Sequence, residues 1–411
     1  MRTPDEAIAE ILKHAEPHGR REDLRLSEAV GRVLAAEIRS DLDLPPFEKS
    51  AMDGFAVRSA DFEDPDFRSD EGAILQRIGE SRAGKPLDQK IEPGQCAAIY
   101  TGAELPEGAD AVVMVEKSED LGDERIRLSD APASGRHVCH RGEDIALDQI
   151  VLPAGRRVRV HDLGALASVG ADPLTVFERP KVAILTTGDE LVPVTEKPSR
   201  GQIRESNTLC LEQLALRAGA EVITREIVRD DRAAHLSAFG QALDGADVLL
   251  TSGGVSAGKY DLVGETLEQL GCEQLFHKVA IKPGKPIWFG KRGRTLVFGL
   301  PGNPVSTMTC HEVFVRPALA LLGGEDPAAE EERRAPSLGR WCGDPPRAIP
   351  RQQNLPVDVR PGKDGVVELH PVAWRGSADL IGLTRARGLA ISPAGVAIEP
   401  GQVVQWRSLD S

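Results

Sequence analysis

The segment 246–306 constrains the fold most, because its apolar, strand-like stretches end in polar, glycine-rich loops. The stretch 247–250 runs into Thr-Ser-Gly-Gly, and the stretch 295–300 runs into Pro-Gly-Asn-Pro. An open α/β sheet binds its ligands outside the carboxyl ends of its strands, where such loops lie. Backbone N–H groups, hydroxyls and the ammonium groups of Lys282 and Lys285 suit a phosphate or another oxyanion. We therefore predict an anion site in this part of the chain.

From residue 181 to 322, strand-like and helix-like stretches alternate. The predicted strands are 182–186, 221–228, 247–251, 278–281 and 295–298, and the predicted helices are 206–217, 232–243, 261–270 and 304–322. Strands separated by helices at this spacing pair mostly in parallel, and the crossovers place helices on both faces of the sheet. The pattern therefore predicts a central, mostly parallel α/β domain.

Each of four polar loops in this domain follows a predicted strand. They are Thr187-Gly188-Asp189-Glu190, Ser252-Gly253-Gly254, Lys282-Pro283-Gly284-Lys285 and Pro301-Gly302-Asn303-Pro304. Because parallel strands end at one edge of a sheet, we expect the four loops to converge. The lysines favour an anion, and the nearby carboxylates favour a metal ion as well. The dinucleotide fingerprint G-x-G-x-x-G and the P-loop fingerprint G-x-x-x-x-G-K-[ST] are absent from the sequence.

The sequence outside this α/β domain indicates three further domains. Helices are expected at 3–14, where Thr3 and Pro4 are typical of a helix start, at 27–38 and at 162–170. We expect these three helices to pack together as a stalk, interrupted by a domain of short strands and Gly/Pro turns. The predicted fold is multidomain α/β plus β. It comprises a helical stalk domain at 1–45 and 141–178, an inserted β domain at 46–140, the α/β domain at 179–326 and a C-terminal β domain at 335–411.

Composition excludes several classes of function and location. The net charge of −14 argues against broad nucleic-acid binding. The six cysteines are scattered without a C-x-x-C pair, which favours a reducing cytoplasm over a disulfide or zinc scaffold. The tract 137–140, His-Val-Cys-His, has no second cluster to complete a zinc site, and we interpret it as strand and turn. No apolar run is long enough to span a bilayer, so we expect no membrane association.

Seven motifs occur in order along the chain and together are typical of one family. They are the runs 50–57 (SAMDGFAV), 101–103 (TGA), 108–113 (GADAVV), 187–191 (TGDEL), 251–256 (TSGGVS), 282–286 (KPGKP) and 300–306 (LPGNPVS). With these motifs the sequence resembles the molybdopterin molybdenumtransferases, which include MoeA and the E domain of gephyrin. The resemblance covers essentially the whole chain. One departure is Gln-Gln-Asn-Leu-Pro at 352–356, where the family has a Phe-x-Arg strand that contacts molybdate.

The resemblance implies an activity and an assembly. The family inserts molybdate into adenylylated molybdopterin with Mg²⁺, which releases AMP and the molybdenum cofactor. It forms elongated homodimers of four-domain subunits. The cleft lies between the α/β domain of one subunit and the inserted β domain of the other. The adenylyltransferase of the preceding step is a further expected partner.

The resemblance also implies roles for individual residues of this sequence. Those expected at the chemistry are Asp53, Asp144, Glu190, Asp261, Lys282 and Lys285, with Glu190 and Asp261 as Mg²⁺ ligands and the lysines holding molybdate or phosphate. Those expected to bind the substrate are Thr101, Gly102, Thr187, Gly188, Asp189, Ser252, Gly253, Gly254, Pro301, Gly302, Asn303, Pro304, Ser306 and Ser377. Three alternatives stay open: Asp144 as a turn former, Asp189 as a cap of the loop that orients Glu190, and Ser306 as an ordinary first-turn serine.

Two other functions are compatible with parts of the sequence. The α/β domain alone would permit adenylylation of molybdopterin, although the additional β domains argue against it. A non-catalytic scaffold like gephyrin is a third hypothesis, and the sequence has no fused second catalytic domain or long linker to favour it. Molybdate and tungstate are tetrahedral dianions of similar size, so the sequence does not separate them.

Overall fold

The computed structural model describes residues 1–254 and 262–409. The described residues form two compact units: unit 1 contains 1–36, 154–160 and the described residues of 173–409, and unit 2 contains 37–153 and 161–172. Asp261, which we predicted as a metal ligand, lies outside the described residues. Among the described residues, no helix combines the length and the apolar character needed to cross a lipid bilayer.

Helices are short and mostly belong to unit 1. In the described part of the chain the α-helices are Pro4–Leu12, Asp162–Ser168, Asn207–Arg217, Arg232–Gly245, Leu262–Gln269, Pro304–Cys310, Arg316–Leu322, Pro327–Arg334 and Leu380–Leu383. A π-helical segment, His311–Val315, joins two of them, so the predicted helix 304–322 is present with a wider turn in its middle.

A central sheet organises unit 1. Its strands in spatial order are Glu221–Val228, Lys181–Thr187, Val248–Ser252, Thr295–Leu300, Trp288–Arg292 and Glu273–His277. The first four are parallel, Trp288–Arg292 is antiparallel to both of its neighbours, and the edge strand Glu273–His277 therefore runs in the same direction as the first four. The three inner parallel strands are almost entirely buried, as expected for strands that are covered on both faces. The predicted mostly parallel α/β domain is confirmed.

Helices cover both faces of this sheet. Successive residues of one strand point to opposite faces: Ile184 and Leu250 belong to one hydrophobic cluster, whereas Leu185 and Leu249 belong to another. The first cluster includes residues of the helices Pro4–Leu12, Asn207–Arg217 and the run 304–322. The second includes residues of Arg232–Gly245 and Leu262–Gln269.

The predicted strand 278–281 is wrong. As a result, the loop 282–285 has a different place in the fold from the other three predicted loops. The edge of the central sheet is formed by Glu273–His277, and the left-handed conformation of Lys278 follows it, with φ of 72°. The short strand Ile281–Lys282 pairs instead with the first residues of Gln352–Arg360 in the C-terminal domain. The loop 282–285 therefore does not follow a strand of the central sheet.

The C-terminal strands close into a barrel. Around the ring they are Gln352–Arg360, Glu368–Pro371, Ser337–Trp341, Val403–Ser408 and Gly388–Ser392, which pairs again with Gln352–Arg360. Trp341, Val357 and Leu369 are buried in its core. Closure leaves few free strand edges, and the predicted C-terminal β domain is confirmed.

The N-terminal helix Pro4–Leu12 packs on the α/β core. Its predicted start at Thr3 and Pro4 is confirmed, and Thr3 and Glu6 form a reciprocal capping box there, which was not predicted. Its apolar residues Ala7, Ile8 and Ile11 belong to the same cluster as the central sheet. It is therefore part of the α/β core and not of a helical stalk.

The predicted helix 27–38 is also wrong. The segment contains a 3-10 turn, Leu26–Glu28, and ends in the strand Ile38–Arg39. Gly31 in the left-handed region, with φ of 81°, interrupts any helix there. Residues beyond it lie extended, and Val33 and Leu34 form isolated bridges with Arg157 and Val176. Although the helix Asp162–Ser168 is present, the three-helix stalk is not formed.

Unit 2 is built mainly of β-strands. In spatial order its sheet contains Ala111–Met114, Gly54–Val57, Gln95–Ile99, Gly72–Ser81, Arg125–Leu128 and Ser118–Asp120, with Arg68–Ser69 paired to Gly72–Ser81. Two short ladders pair Lys49–Ser50 with Val138–Cys139, and Ile38–Arg39 with Ile150–Leu152. The tract 137–140 is strand and turn, as we interpreted it.

Two further short ladders, in unit 1, pair Arg21–Leu24 with Leu174–Phe177 and Leu191–Val192 with Ile203–Arg204.

Candidate functional site

Three of the four predicted loops converge at the carboxyl edge of the central sheet. They surround a cavity of about 740 Å³. The predicted residues that line it are Thr187, Gly188, Glu190, Ser252, Gly253, Gly254, Pro301, Gly302, Asn303 and Pro304. The convergence follows from the parallel order of the strands Lys181–Thr187, Val248–Ser252 and Thr295–Leu300, which are neighbours in the sheet.

Asn207, which the sequence analysis missed, holds two of these loops together. Its side-chain amide donates to the hydroxyl of Ser252 and to the carbonyl of Gly302, each at 2.8 Å. The Ser252 hydroxyl in turn donates to the carbonyl of Pro301 at 3.3 Å. An asparagine at the start of a helix is easily taken for a cap, so only its tertiary contacts identify it as part of the site.

Close approach of the loops requires glycine. Gly253 has φ of 95°, and a Cβ atom there would lie 2.6 Å from the carbonyl oxygen of Thr187. A Cβ on Gly302 would lie 3.5 Å from the Cα atom of Gly253, so these backbones are in direct contact. Glycines at these positions expose backbone to the cavity, which suits a ligand that is bound through N–H groups.

Thr187 presents an unused hydroxyl at the cavity. Its Oγ1 atom is buried and has no hydrogen-bond partner within residues 1–254 and 262–409. A buried polar atom without a partner is unfavourable by about 1–3 kcal/mol, and a bound oxyanion would accept a hydrogen bond from this hydroxyl. This hydroxyl supports the interpretation of the cavity as an anion site.

Carboxylates on the wall of the cavity fit a hard divalent cation. Glu190, Glu205 and Asp230 all line it, and the last two were not predicted. Glu205 accepts a hydrogen bond from the backbone N–H of Thr208 at 2.8 Å, whereas the Glu190 carboxylate accepts none from any described residue. Mg²⁺ usually binds one or two carboxylates together with waters and substrate phosphates. The donor set therefore fits Mg²⁺, with Glu190 as the available described ligand.

Asp189 does not line the cavity and orders the loop beside it. Its backbone N–H donates to Asp230 at 3.3 Å, and the N–H of Asp230 donates back to the Asp189 carboxylate at 3.2 Å. This reciprocal pair joins the ends of two neighbouring parallel strands. The geometry is that of the capping alternative, in which Asp189 helps to position Glu190.

The lysine loop lies beside the helix that begins at Pro304. Lys282 and Lys285 are exposed, whereas Pro283 and Gly284 between them are buried. The carbonyl of Gly284 is 3.6 Å from the thiol of Cys310 on that helix. Pro286 lines the cavity, so the loop reaches its wall, although the lysines themselves are not lining residues. Among the described residues, neither ammonium group forms an ion pair with a carboxylate.

The last domain contributes through the segment 375–380. The side-chain amide of Asn303 donates to the hydroxyl of Ser377 at 2.9 Å, and the N–H of Val305 donates to the Ser377 carbonyl at 3.0 Å. The neighbouring residues Ala378 and Leu380 line the cavity. Ser377 therefore packs over the start of the helix Pro304–Cys310, whereas Ser306 is buried and does not line the cavity.

Arg351 is a second residue that the sequence analysis missed. Its guanidinium donates to the carbonyl of Ile281 at 3.4 Å, directly before Lys282. It immediately precedes the strand Gln352–Arg360, in which the Phe-x-Arg pattern is missing. An arginine therefore lies close to the lysine loop, although it occupies a different position in the sequence from the arginine of the family's Phe-x-Arg strand.

In unit 2, Asp53 and Thr101 are hydrogen-bonded. The Asp53 carboxylate accepts from the backbone N–H of Thr101 at 2.7 Å and from its hydroxyl at 2.8 Å. Both hydrogen bonds lower the pKa of Asp53 below its usual value, and the one from the backbone N–H has the larger effect. The Asp53 carboxyl is therefore ionised at neutral pH. The N–H of Gly102 donates to the carbonyl of Ser50 at 2.8 Å, which joins the loops 50–53 and 101–103. Asp144 is exposed, and its N–H donates to the Leu44 carbonyl at 2.9 Å.

Comparison with known families covers most of the chain. Residues 2–170 match the family described as the MoeA N-terminal region (domain I and II). Residues 183–321 match the family described as a probable molybdopterin binding domain. The second match contains the three loops and nearly all of the three strands that form the cavity.

Individual relatives extend the comparison. The molybdopterin molybdenumtransferase of Haemophilus influenzae is 37% identical over 325 residues, which cover 79% of this chain and 78% of the relative. The protein of the same name from Nostoc sp. is 33% identical over 375 residues, 89% of this chain and 84% of the relative. Among solved structures, the molybdopterin biosynthesis protein moeA of Pyrococcus horikoshii OT3 superposes with a TM-score of 0.84 at 28% identity, over 99% of both chains.

Proposed function

Because this chain belongs to the molybdopterin molybdenumtransferase family, we propose that it inserts molybdate into adenylylated molybdopterin, releasing AMP and forming the molybdenum cofactor. The observation that carries the proposal is the cavity at the carboxyl edge of the central sheet. It combines glycine backbone, the Thr187 hydroxyl, which has no partner among the described residues, and carboxylates in one place. Adenylylation and a non-catalytic scaffold are not favoured, since the related proteins are named for molybdenum transfer.

We infer that the cavity holds the phosphate end of the adenylylated pterin. The Thr187 hydroxyl is available to donate, and Gly253 and Gly254 bring backbone within reach of an oxyanion. Asn207 contributes by holding the loops of Ser252 and Gly302 in contact, so that the cradle is formed before the substrate binds.

The cations beside the cavity are assigned to molybdate. Molybdate and phosphate are both anions and repel one another, so an enzyme that joins them needs positive charge between them. Lys282 and Lys285 have no carboxylate partner among the described residues, and Arg351 donates to the backbone next to Lys282. We assign to Arg351 the contact that the missing Phe-x-Arg arginine makes in the family.

Glu190 is proposed as a ligand of Mg²⁺, with Asp261 as the second carboxylate. Mg²⁺ bound there would offset the negative charge that develops on AMP as the phosphoanhydride bond breaks. Glu190 places a carboxylate at the cavity wall that accepts no hydrogen bond from residues 1–254 or 262–409, so its oxygens are available to a metal ion.

We further propose that the protein acts as a homodimer in the reducing cytoplasm. The dimer is inferred from the resemblance, by which Asp53 of the inserted β domain serves the cleft of the partner subunit, and Asp144 of the segment 141–178 is expected at the chemistry as well. An ionised Asp53 can bind a metal ion or accept a proton there. The cytoplasmic location is supported by the six cysteines, all of which are unpaired. The adenylyltransferase of the preceding step remains a proposed partner.

The function is tested by reconstitution. Incubation of the purified protein with adenylylated molybdopterin, molybdate and Mg²⁺ should release AMP in step with the appearance of molybdenum on the pterin. A parallel incubation with ATP and molybdopterin should yield no adenylylated pterin. Product in the second incubation and none in the first would contradict the proposal and favour adenylylation.

The role of Glu190 is tested by titrating Mg²⁺ against AMP release. Glu190→Gln removes the negative charge of the carboxylate but keeps the shape of the side chain. It should raise the Mg²⁺ concentration that gives half-maximal AMP release by about tenfold or more. Asp261→Asn should act similarly, and the double variant should stop AMP release while calorimetry still detects substrate binding. Glu196→Gln is the matched control, since Glu196 is exposed and does not line the cavity. An unchanged midpoint in all variants would mean that these carboxylates do not bind the metal ion.

A further inference from the structure

A second cavity, of about 450 Å³, lies in unit 1 between the helices of the α/β domain and the C-terminal barrel. We call it the arginine cavity, because five arginines line it: Arg217, Arg316, Arg333, Arg334 and Arg407. Glu312 is the acidic residue among its described lining residues. Such a concentration of positive charge is unusual in a chain whose net charge is −14. It shares no described lining residue with the first cavity.

Nearby carboxylates neutralise only part of this charge. Arg316 pairs with Glu312 at 2.8 Å and with Glu330 at 3.3 Å. Arg333 pairs with Glu325 at 2.8 Å and also with Glu330. These two arginines therefore have internal partners and mainly shape the wall.

Arg407 and Arg334 are less well compensated. Arg407 donates to the backbone carbonyl of Arg334, and it forms no ion pair with a carboxylate among the described residues. Its Nε atom is buried without a hydrogen-bond partner within the described residues, as is that of Arg334. Arg334 has a looser pair with the exposed Glu331, at 3.6 Å. Burial lowers the pKa of Arg407, and the charges of Arg316 and Arg334 lower it further, although the carboxylate of Glu312 acts in the opposite direction.

His311 supplies an independent sign of a missing ligand. Only 1% of its surface is exposed, and neither ring nitrogen has a partner among the residues described. Burial lowers its pKa to about 3, so the ring is neutral and carries one N–H donor. His311 is the first residue of the π-helical segment His311–Val315, and such segments occur frequently at functional sites.

Apolar side chains complete the cavity. Met308, Leu383 and Trp406 line it together with the arginines. The indole Nε1 atom of Trp406 is buried and also lacks a partner in the described part of the chain. The lining therefore combines charged hydrogen-bond donors, from the arginines, with apolar surface from Met308, Leu383 and Trp406.

We propose that the arginine cavity binds a small organic anion, with its acid group against Arg407 and Arg334 and its apolar part against Met308, Leu383 and Trp406. The planar guanidinium group suits both carboxylate and phosphate oxygens, because two parallel N–H groups can donate to one acid. His311 and Trp406 donate further hydrogen bonds to the ligand. This site is separate from the proposed metal-insertion site and does not depend on that function.

Phenyl phosphate and benzoate are suitable probes, since each joins one acid group to an apolar ring. Calorimetric titration of the full chain should detect binding of at least one of them, and the comparison identifies whether phosphate or carboxylate is preferred. Arg407→Gln should weaken binding about tenfold, and His311→Phe should weaken it as well. Arg360→Gln is the matched control, because it removes an arginine from the same barrel outside the cavity.

Two further measurements keep the test decisive. If thermal unfolding shows that Arg407→Gln does not fold, Arg334→Gln replaces it, since that side chain is 29% exposed and less important for packing. The Lys282→Ala/Lys285→Ala variant should retain binding, which separates this site from the proposed molybdate site. Absence of binding of both probes to the unmodified protein would overturn the proposal. Binding that is unchanged in Arg407→Gln, or in Arg334→Gln where it replaces Arg407→Gln, would also overturn it.

Discussion

Lys282→Ala and Lys285→Ala are each expected to reduce molybdenum insertion by about a hundredfold or more, without unfolding the protein. Both side chains are exposed, so neither contributes much to the core. Both are proposed to hold an anionic substrate against the repulsion of a second anion, so the loss should appear in the reaction itself. The measurement is cofactor formed from adenylylated molybdopterin at limiting molybdate, together with the thermal unfolding midpoint.

Lys363→Ala provides the comparison for this result. Lys363 is an exposed lysine of the C-terminal domain that lines neither cavity, so its removal changes the net charge equally. It should leave insertion unchanged. Near-normal activity in both loop variants would remove the lysines from the site, and partial rescue by high molybdate would support their role in binding.

Gly253→Ala is expected to abolish tight binding of adenylylated molybdopterin. A Cβ atom at this position would approach the Thr187 carbonyl oxygen to 2.6 Å, and the backbone already has φ of 95°. The loops after two neighbouring strands must therefore separate, which breaks the cradle at the edge of the sheet. The free energy of unfolding should fall by about 1–3 kcal/mol, and substrate affinity by more than about tenfold.

The steric part of this effect can be isolated with Gly271→Ala. Gly271 also has a left-handed backbone, with φ of 76°, but a Cβ atom there would meet nothing within 4 Å. The Gly271→Ala variant should therefore show only the cost of the strained backbone. Its free energy of unfolding should fall by about 1 kcal/mol, and its substrate affinity should be unchanged. Equal affinities in both variants would mean that contact between the two loops is not needed for binding.

Much of the α/β domain was predictable because its signals are local. Continuous apolar runs such as 182–186 are typical of strands that are buried on both faces, and each ends in a polar loop. The parallel order then brings the loops at Thr187, Ser252 and Pro301 to one edge without any further information. The helix at 27–38 failed because its apolar residues fit a helical period, whereas Gly31 and pairing with distant segments favour extended chain.

The sequence by itself therefore determined the family, the four parallel strands of the central sheet and the loops that line the first cavity, since these depend on motifs and on short-range patterns. Only the tertiary structure decided that Ile281–Lys282 joins the C-terminal barrel, that Asn207 holds two loops together, and that Arg351 lies beside the lysine loop. It also decided that arginines from distant segments surround a buried His311. These features are contacts between residues far apart in the chain, and no local pattern of residue types specifies such partners.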